Sequence, residues 1–267
     1  MEAAASNSQA VALSAPSETL ESPFAPANRG FALQLVEADP AEPATLQSVD
    51  VRPRDGSEVA IRVVNVAIAF VGLVAAFPVM VVVALLVRLT SRGPVLYSQT
   101  RVGVDRRYKR SDTDDRRIYD QGGKPFEMYK FRSMVADSEA DGRAVWAKPR
   151  DPRATSIGRV LRKTRLDELP QLYNVLRGDM NIVGPRPERP TIFAELRQSI
   201  PQYHMRQRVR PGITGWAQVN QPYDADIEDV RRKVTYDLEY IRRQSVREDL
   251  RIMLMTIPVM LFRHSGW

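Results

Sequence analysis

The chain has 267 residues, 43% of them hydrophobic, enough for one sizeable domain with appendages. Its formal net charge is +7, but residues 1–50 hold seven acidic side chains against Arg29 alone; setting aside their −6 leaves +13 on residues 51–267, a balance that favours anionic partners such as phosphates, nucleic acid or a lipid surface. The absence of cysteine excludes a disulfide framework and thiolate metal sites, and the only two histidines, His204 and His264, stand too far apart in sequence to suggest a histidine metal cluster.

Residues 1–58 are rich in Ala, Ser, Pro and Glu, with apolar residues at no helical or strand period, which predicts a disordered tail. The first thirty residues lack the basic start and apolar centre of a secretory signal. The run VVNVAIAFVGLVAAFPVMVVVALLV, residues 63–87, is broken only by Asn65, Gly72 and Pro78. As a helix it would be about 37 Å long, enough to span a bilayer. Two readings fit: a straight span, or a helix that enters the membrane, breaks at Pro78 and returns to the same face. The missing donor at Pro78 and the arginines on both flanks, Arg52, Arg54 and Arg62 before and Arg88 and Arg92 after, argue for the second, while the tolerance of spanning helices for proline keeps the first equally open.

In the basic half, Gly93-Pro94 signals a turn, and Val95, Tyr97 and Gln99 suit a short strand. Residues 105–121 mix both charges without core residues and read as a solvated loop. KPFEMYKFRSM, residues 124–134, interleaves Phe126, Tyr129 and Phe131 with Lys130 and Arg132; it reads as a half-buried strand or loop, although such interleaving also occurs in nucleic-acid binders.

Leu169, Leu172, Tyr173 and Leu176 recur at helical spacing, predicting a helix over about 168–177 that stops at Gly178, with Asp167 as N-cap and Pro170 in the first turn. A cap and a dipole-matching charge would account for Asp167 and Glu168 without any chemistry. Their company suggests more. Paired carboxylates suit Mg²⁺ shared with substrate phosphates. Arg159, Arg162, Lys163 and Arg165 precede them, and the stiff turn Pro185-Arg186-Pro187 carries one more guanidinium able to grip a phosphate. Together these are parts of a phosphoryl-transfer site in which a carboxylate serves as nucleophile or base. The basic neighbours and a helix N-terminus should favour the ionised form of Asp167. No Walker-type glycine loop or kinase signature is present. Further on, GITGWAQVN (212–220) reads as a glycine-bearing turn around Trp216, and EDLRIMLMTIPVMLF (248–262) as a helix for either the core or a membrane interface.

The proline-broken apolar segment, LTSRGPVLYSQTRVG, KPFEMYKFRSM, DPRATSIGRVLRKTRLDELPQLYNVLRGDMNIVGPRPERP and RVRPGITGWAQVN follow one another in the order found in monotopic phosphoglycosyl transferases. From about residue 60 onward the chain resembles these bacterial sugar transferases, which move a sugar phosphate from a nucleotide diphosphate sugar to a polyprenyl phosphate. The resemblance implies an α+β, mainly helical fold with a small β element, anchored by a re-entrant helix-break-helix around Pro78. The implied organisation is a tail (1–58), a membrane helix (59–90) and a cytoplasmic catalytic domain with an interfacial C-terminal helix (91–267). It implies Asp167 as nucleophile, Glu168 as Mg²⁺ ligand, and Lys130 with Arg132, Arg162, and Arg186 between Pro185 and Pro187 as substrate and phosphate contacts. The implied reaction joins UDP-sugar and polyprenyl (undecaprenyl) phosphate at the inner leaflet of the bacterial cytoplasmic membrane, releases UMP, passes through an aspartyl intermediate and begins an exopolysaccharide or glycoconjugate. It assigns no role to nucleic acid, and admits a second copy of the chain or downstream glycosyltransferases as partners. Two other function classes stay open on the residues alone: a membrane-tethered basic nucleic-acid-binding protein and a non-catalytic scaffold of a polysaccharide assembly complex. The chain departs from the family in Phe77, where a serine often precedes the membrane proline, in the length of the 105–121 loop, and in its N-terminal tail.

Overall fold

The apolar run folds as α1 (Glu58–Thr90), a single helix of 33 residues with Pro78 inside it. The computed structural model describes residues 50–53, 56, 58–106, 122–135, 151–221 and 226–262. The expected tail of 1–58 and the charged loop of 105–121 lie for the most part outside these. Among the described residues α1 is the one helix long and apolar enough to cross a membrane, and 11% of its most apolar window is buried, which distinguishes it from the core helix of a soluble domain. The two half-helices expected on either side of Pro78 do not appear as separate elements. A proline removes one backbone donor and crowds one carbonyl, and the turns flanking Pro78 continue the helix past that loss.

Both ends of α1 are built into the rest of the protein. Near the N-terminal end, Arg62 donates to the carbonyls of Val175 (2.5 Å) and Leu176 (2.8 Å), and the fully buried Asn65 accepts from the Ile182 amide through Oδ1. Ala69 then packs with Phe126, Met128, Val175 and Met180. Toward the other end, Val83 and Val87 pack with Phe131 and Leu161. Between these contacts Val71, Val74, Phe77 and Val82 stand exposed.

β1 (Leu96–Val102) and β2 (Pro125–Phe131) pair antiparallel, with Tyr97 opposite Lys130. The free edge of β2 is closed by one side chain: Tyr129 N donates to Asn174 Oδ1 (3.0 Å) and Asn174 Nδ2 donates to Glu127 O (2.7 Å), so a buried amide stands in for a neighbouring strand. α2 (Ser156–Thr164) and α3 (Gln171–Arg177) follow. A second sheet pairs β3 (Asn181–Val183) in parallel with β4 (Gly212–Thr214). The crossover between them holds α4 (Pro190–Ser199) and a 3₁₀ segment, Tyr203–Arg208. A Cβ on Gly212 would lie 2.1 Å from Gly184 N, so only glycine lets the two strands close where the Pro185–Pro187 turn leaves β3.

α5 (Trp216–Asn220), α6 (Ile227–Arg243) and α7 (Val246–Phe262) complete the chain order. The main core gathers Phe193, Tyr203, Val230, Val234, Leu238, Ile241 and Ile252. In α7, Ile252 enters this core while Leu250, Leu254 and Ile257 are exposed, so the helix serves the core along one side and offers an apolar row along another. The architecture is mainly helical with two small sheets, as the sequence leads one to expect.

Candidate active site

Thr155 caps α2, accepting from the Gly158 amide at 2.9 Å, and Arg165 ends the helix in the left-handed region at φ 57°. Arg165 is the one non-glycine residue with positive φ among those described. That conformation strains an L-residue and turns the chain into a 3₁₀ segment, Leu166–Glu168, which carries both carboxylates. α3 begins only at Gln171, with Pro170 at its N-cap and no side-chain cap bond. The expected helix over 168–177 capped by Asp167 is therefore corrected at its start: Asp167 caps nothing. Leu166 and Leu169 pack against the Val83, Val87 and Leu161 cluster, a contact served by the tighter turn. The stop at Gly178 is as expected, at φ 90° with its N–H shared between Asn174 O and Val175 O.

Asp167 and Glu168 are 6% and 7% exposed. Glu168 Oε1 accepts from Lys130 Nζ (2.8 Å) and from Arg186 Nη2 (2.6 Å), whereas Oε2 faces Arg165 Nη1 at 3.9 Å. Burial works to raise the Glu168 pKa, but Arg186 and Lys130 outweigh it and hold the carboxyl well below its usual range. Lys130 is itself drawn below its ordinary value by burial, with Glu168 opposing. Asp167 forms no hydrogen bond with any described residue. Burial, opposed by Lys130 and reinforced by the charge of Glu168, pushes its pKa up to about 6, with Arg186 and Arg162 also opposing. The expected lowering at this aspartate is thus reversed, because loss of solvent exceeds the help of the cations. The result is a bonded glutamate whose ionised form is favoured beside an unbonded aspartate whose pKa is pushed up to about 6.

The structure brings Lys130 and Arg186 onto the pair directly. Arg162, in the last turn of α2, lies near enough to oppose the rise at Asp167, and its Nη1 is buried without a partner among the described residues. Arg132 is elsewhere. It is 5% exposed, and its guanidinium donates to Pro94 O, to Ser91 O and Oγ (both 2.8 Å) and to Val87 O (3.4 Å). A phosphate role for Arg132 is therefore corrected to that of a staple: the carbonyls at the end of α1 lack intrahelical donors and the guanidinium supplies them. Pro185 and Pro187 are buried, and Pro78 sits within α1 away from the carboxylates.

Having no N–H at 185 and 187, the turn is held through its carbonyls. Pro185 O accepts from Gly212 N (3.0 Å), Pro187 O from Arg101 Nη1 (3.1 Å) and Glu188 O from Val102 N (2.9 Å). The Glu188 carboxylate in turn binds Lys233 (3.1 Å) and Arg101 (3.8 Å). The roles of Arg101, Glu188 and Lys233 were not legible in sequence, since these residues sit up to 132 positions apart; the double proline, which deprives a turn of donors, is the signal that outside donors are required.

Two adjacent carboxylates are a donor set that Mg²⁺ accepts when substrate phosphates complete its shell. Among the described residues no third carboxylate, histidine or cysteine joins them. With Oε1 of Glu168 occupied by two cations, Oε2 and the unbonded Asp167 are the oxygens that fit such an ion.

The sequence model of the bacterial sugar transferase family matches residues 56–263. A UDP-N-acetylgalactosamine-undecaprenyl-phosphate N-acetylgalactosaminephosphotransferase of Aeromonas hydrophila is 44% identical over 184 residues, 69% of this chain and 39% of its own length. A UDP-glucose:undecaprenyl-phosphate glucose-1-phosphate transferase of Escherichia coli is 41% identical over 198 residues, 73% of this chain and 39% of its own. One of the same description from Caulobacter vibrioides is 36% identical over 244 residues, 91% and 82% of the two chains. The chain thus spans about two fifths of the first two relatives and most of the third.

Proposed function

This chain belongs to the bacterial sugar transferase family, and from that premise we propose that it transfers a sugar 1-phosphate from a UDP-sugar to undecaprenyl phosphate, yielding undecaprenyl diphosphate sugar and UMP. The observation that carries the reading is the buried carboxylate pair, with Asp167 unbonded and Glu168 fastened by Lys130 and Arg186. An ionised Asp167 oxygen attacks the β-phosphorus of the UDP-sugar as the bond to the UMP oxygen breaks, leaving a sugar-phosphoryl aspartate. An oxygen of undecaprenyl phosphate then attacks the same phosphorus and Asp167 departs as carboxylate. Lys130, Arg186 and Arg162 bind the diphosphate and balance its charge. Mg²⁺ held by Glu168 would supply further charge neutralisation at the diphosphate.

The acceptor is a membrane lipid, and the placement of α1 supports its delivery. Leu172, one turn from the carboxylates, meets the first half of α1 at Gly72, and Leu166 and Leu169, which flank the carboxylates, meet the second half. Arg62 and Arg132 tie the two ends of α1 to one folded body, whereas a straight crossing would set these ends on opposite faces of the hydrocarbon. These ties support a helix that enters and returns to one leaflet, with residues 91–267 as a cytoplasmic catalytic domain at the inner membrane. The exposed apolar row of α7 supports its lying at the interface. The product suits the first membrane step of an exopolysaccharide or glycoconjugate.

The test is UMP release in the presence of undecaprenyl phosphate, using a panel of UDP-sugars that includes glucose and N-acetylgalactosamine. Mg²⁺-dependent UMP release with one of them is expected; no release with any donor would remove the reading.

A further inference from the structure

The Arg186 carbonyl accepts from the side chain of a fully buried arginine. Arg206 Nη2 reaches it at 3.0 Å. The side chain of Arg206 is 0% exposed; its Nε donates to Asp237 Oδ2 (2.7 Å) and its Nη1 to the Tyr203 hydroxyl (2.7 Å), over whose ring the guanidinium stands at 4.9 Å. Asp237, from α6, is 2% exposed. Thus all three guanidinium nitrogens are spent on groups in fixed positions, one of them the backbone of the arginine that binds Glu168.

A buried ion pair is weak evidence for stability, because desolvating the charges costs about as much as their attraction returns and apolar packing would serve as well. The geometry supplies another reason for the pair. Pro185 and Pro187 remove the amides with which a turn ordinarily fixes itself, so the direction in which Arg186 leaves the backbone depends on donors brought from outside. Resting on the transferase reading above, we propose that Arg206, balanced by Asp237, is a positioning residue that fixes the Arg186 backbone and so aims the Arg186 guanidinium at Glu168 and the donor diphosphate. Lysine keeps the charge that Asp237 requires but lacks the planar fork needed to reach Tyr203 and Arg186 at once.

The experiment uses the full chain in nanodiscs, with ¹⁵N-arginine labelling and turnover measured in parallel on Arg206→Lys, Asp237→Asn, Arg186→Ala and the Arg206→Lys/Arg186→Ala double variant. The Arg186 Nε–Hε signal is identified by its loss in Arg186→Ala. In Arg206→Lys and Asp237→Asn the proteins should melt cooperatively while that signal shifts or broadens, and kcat should fall by about 10- to 100-fold, the effect expected of a misplacement near 1 Å. In the Arg186→Ala background Arg206→Lys should cost less than 2-fold more, since its effect runs through the residue already removed. An unchanged Arg186 signal in a folded variant, additive losses in the double variant, or failure of both single variants to fold would each overturn the assignment. Should the wild-type chain release no UMP, the transferase reading fails, while the Arg186 signal still decides whether Arg206 positions it.

Discussion

Asp167 and Glu168 are neighbours in sequence with opposite electrostatic fates, and the cause lies in which cations touch them. Lys130 and Arg186 converge on Glu168 Oε1, so its charge is matched; Asp167 has burial without a hydrogen bond, so its ionised form is the costly one. If Asp167 must be ionised to react, kcat/KM should fall as pH drops through about 6 and be level above it. A pH–rate profile flat from 5 to 8 would detach catalysis from this carboxyl. Each charge-assisted hydrogen bond to phosphate contributes about 1.5–3 kcal/mol, so Arg186→Ala and Lys130→Ala should lower kcat/KM by roughly 10- to 100-fold. Arg132→Ala should behave differently. Stranding the carbonyls of Ser91 and Pro94 should lower stability by about 2–4 kcal/mol, read in thermal melts as a loss that precedes any specific effect on KM. Lys130 stands in β2 and Arg132 just past its end, and the motif alone does not distinguish them; their separation became visible only once the end of α1 was placed beside them.

At the scale of elements, α7 carries a buried group that the proposed reaction does not use. Tyr240 OH lies 2.8 Å from Asp249 Oδ1 and 3.2 Å from Val183 O, and burial pushes the Asp249 pKa up to about 7. Unfolded, this carboxyl ionises near its ordinary value of about 3.9. Between about pH 4 and 7 the native state therefore holds a proton that the unfolded chain has lost, and this group's contribution to stability declines as pH rises through that window. Asp249→Asn has no such proton, so between pH 5 and 8 it should gain about 2 kcal/mol relative to wild type, measured by denaturant melts at both values. No gain would mean that Asp249 is ionised in the native state. The apolar run located α1, the Gly93-Pro94 turn and the residues after it pointed to β1, and Gly178 marked the end of α3, while 124–134 stayed open between strand and loop until β1 was seen to pair with it. Periodicity misplaced the start of α3, because Leu166, Leu169, Leu172 and Leu176 satisfy a helical period whether or not the first turn is tightened to 3₁₀, and the left-handed Arg165 leaves no trace in composition.

At the largest scale, the described residues join a long apolar helix to a charged site through contacts at both ends of that helix, and this joining could not be read from the apolar run, which fits a straight span and a return equally well. Local motifs announced Asp167, Glu168, Lys130 and Arg186; Arg206, Asp237 and Arg101 act on them across long stretches of sequence, where only the fold supplies proximity. If α1 enters and leaves by one leaflet, single cysteines at the exposed positions Val59 and Leu89 should both label from the cytoplasmic side of sealed vesicles. Labelling of position 59 from the opposite side would establish a crossing, and Pro78→Leu should move some molecules toward that crossing with a matching loss of turnover. The central claim, that Asp167 is the nucleophile of a two-step transfer, is tested most directly by intact-protein mass spectrometry after brief mixing with UDP-sugar and no acceptor. The account predicts a mass increase of one sugar phosphate that undecaprenyl phosphate discharges and that Asp167→Asn abolishes. A fully active Asp167→Asn chain, or turnover with no adduct under rapid quench, would contradict it.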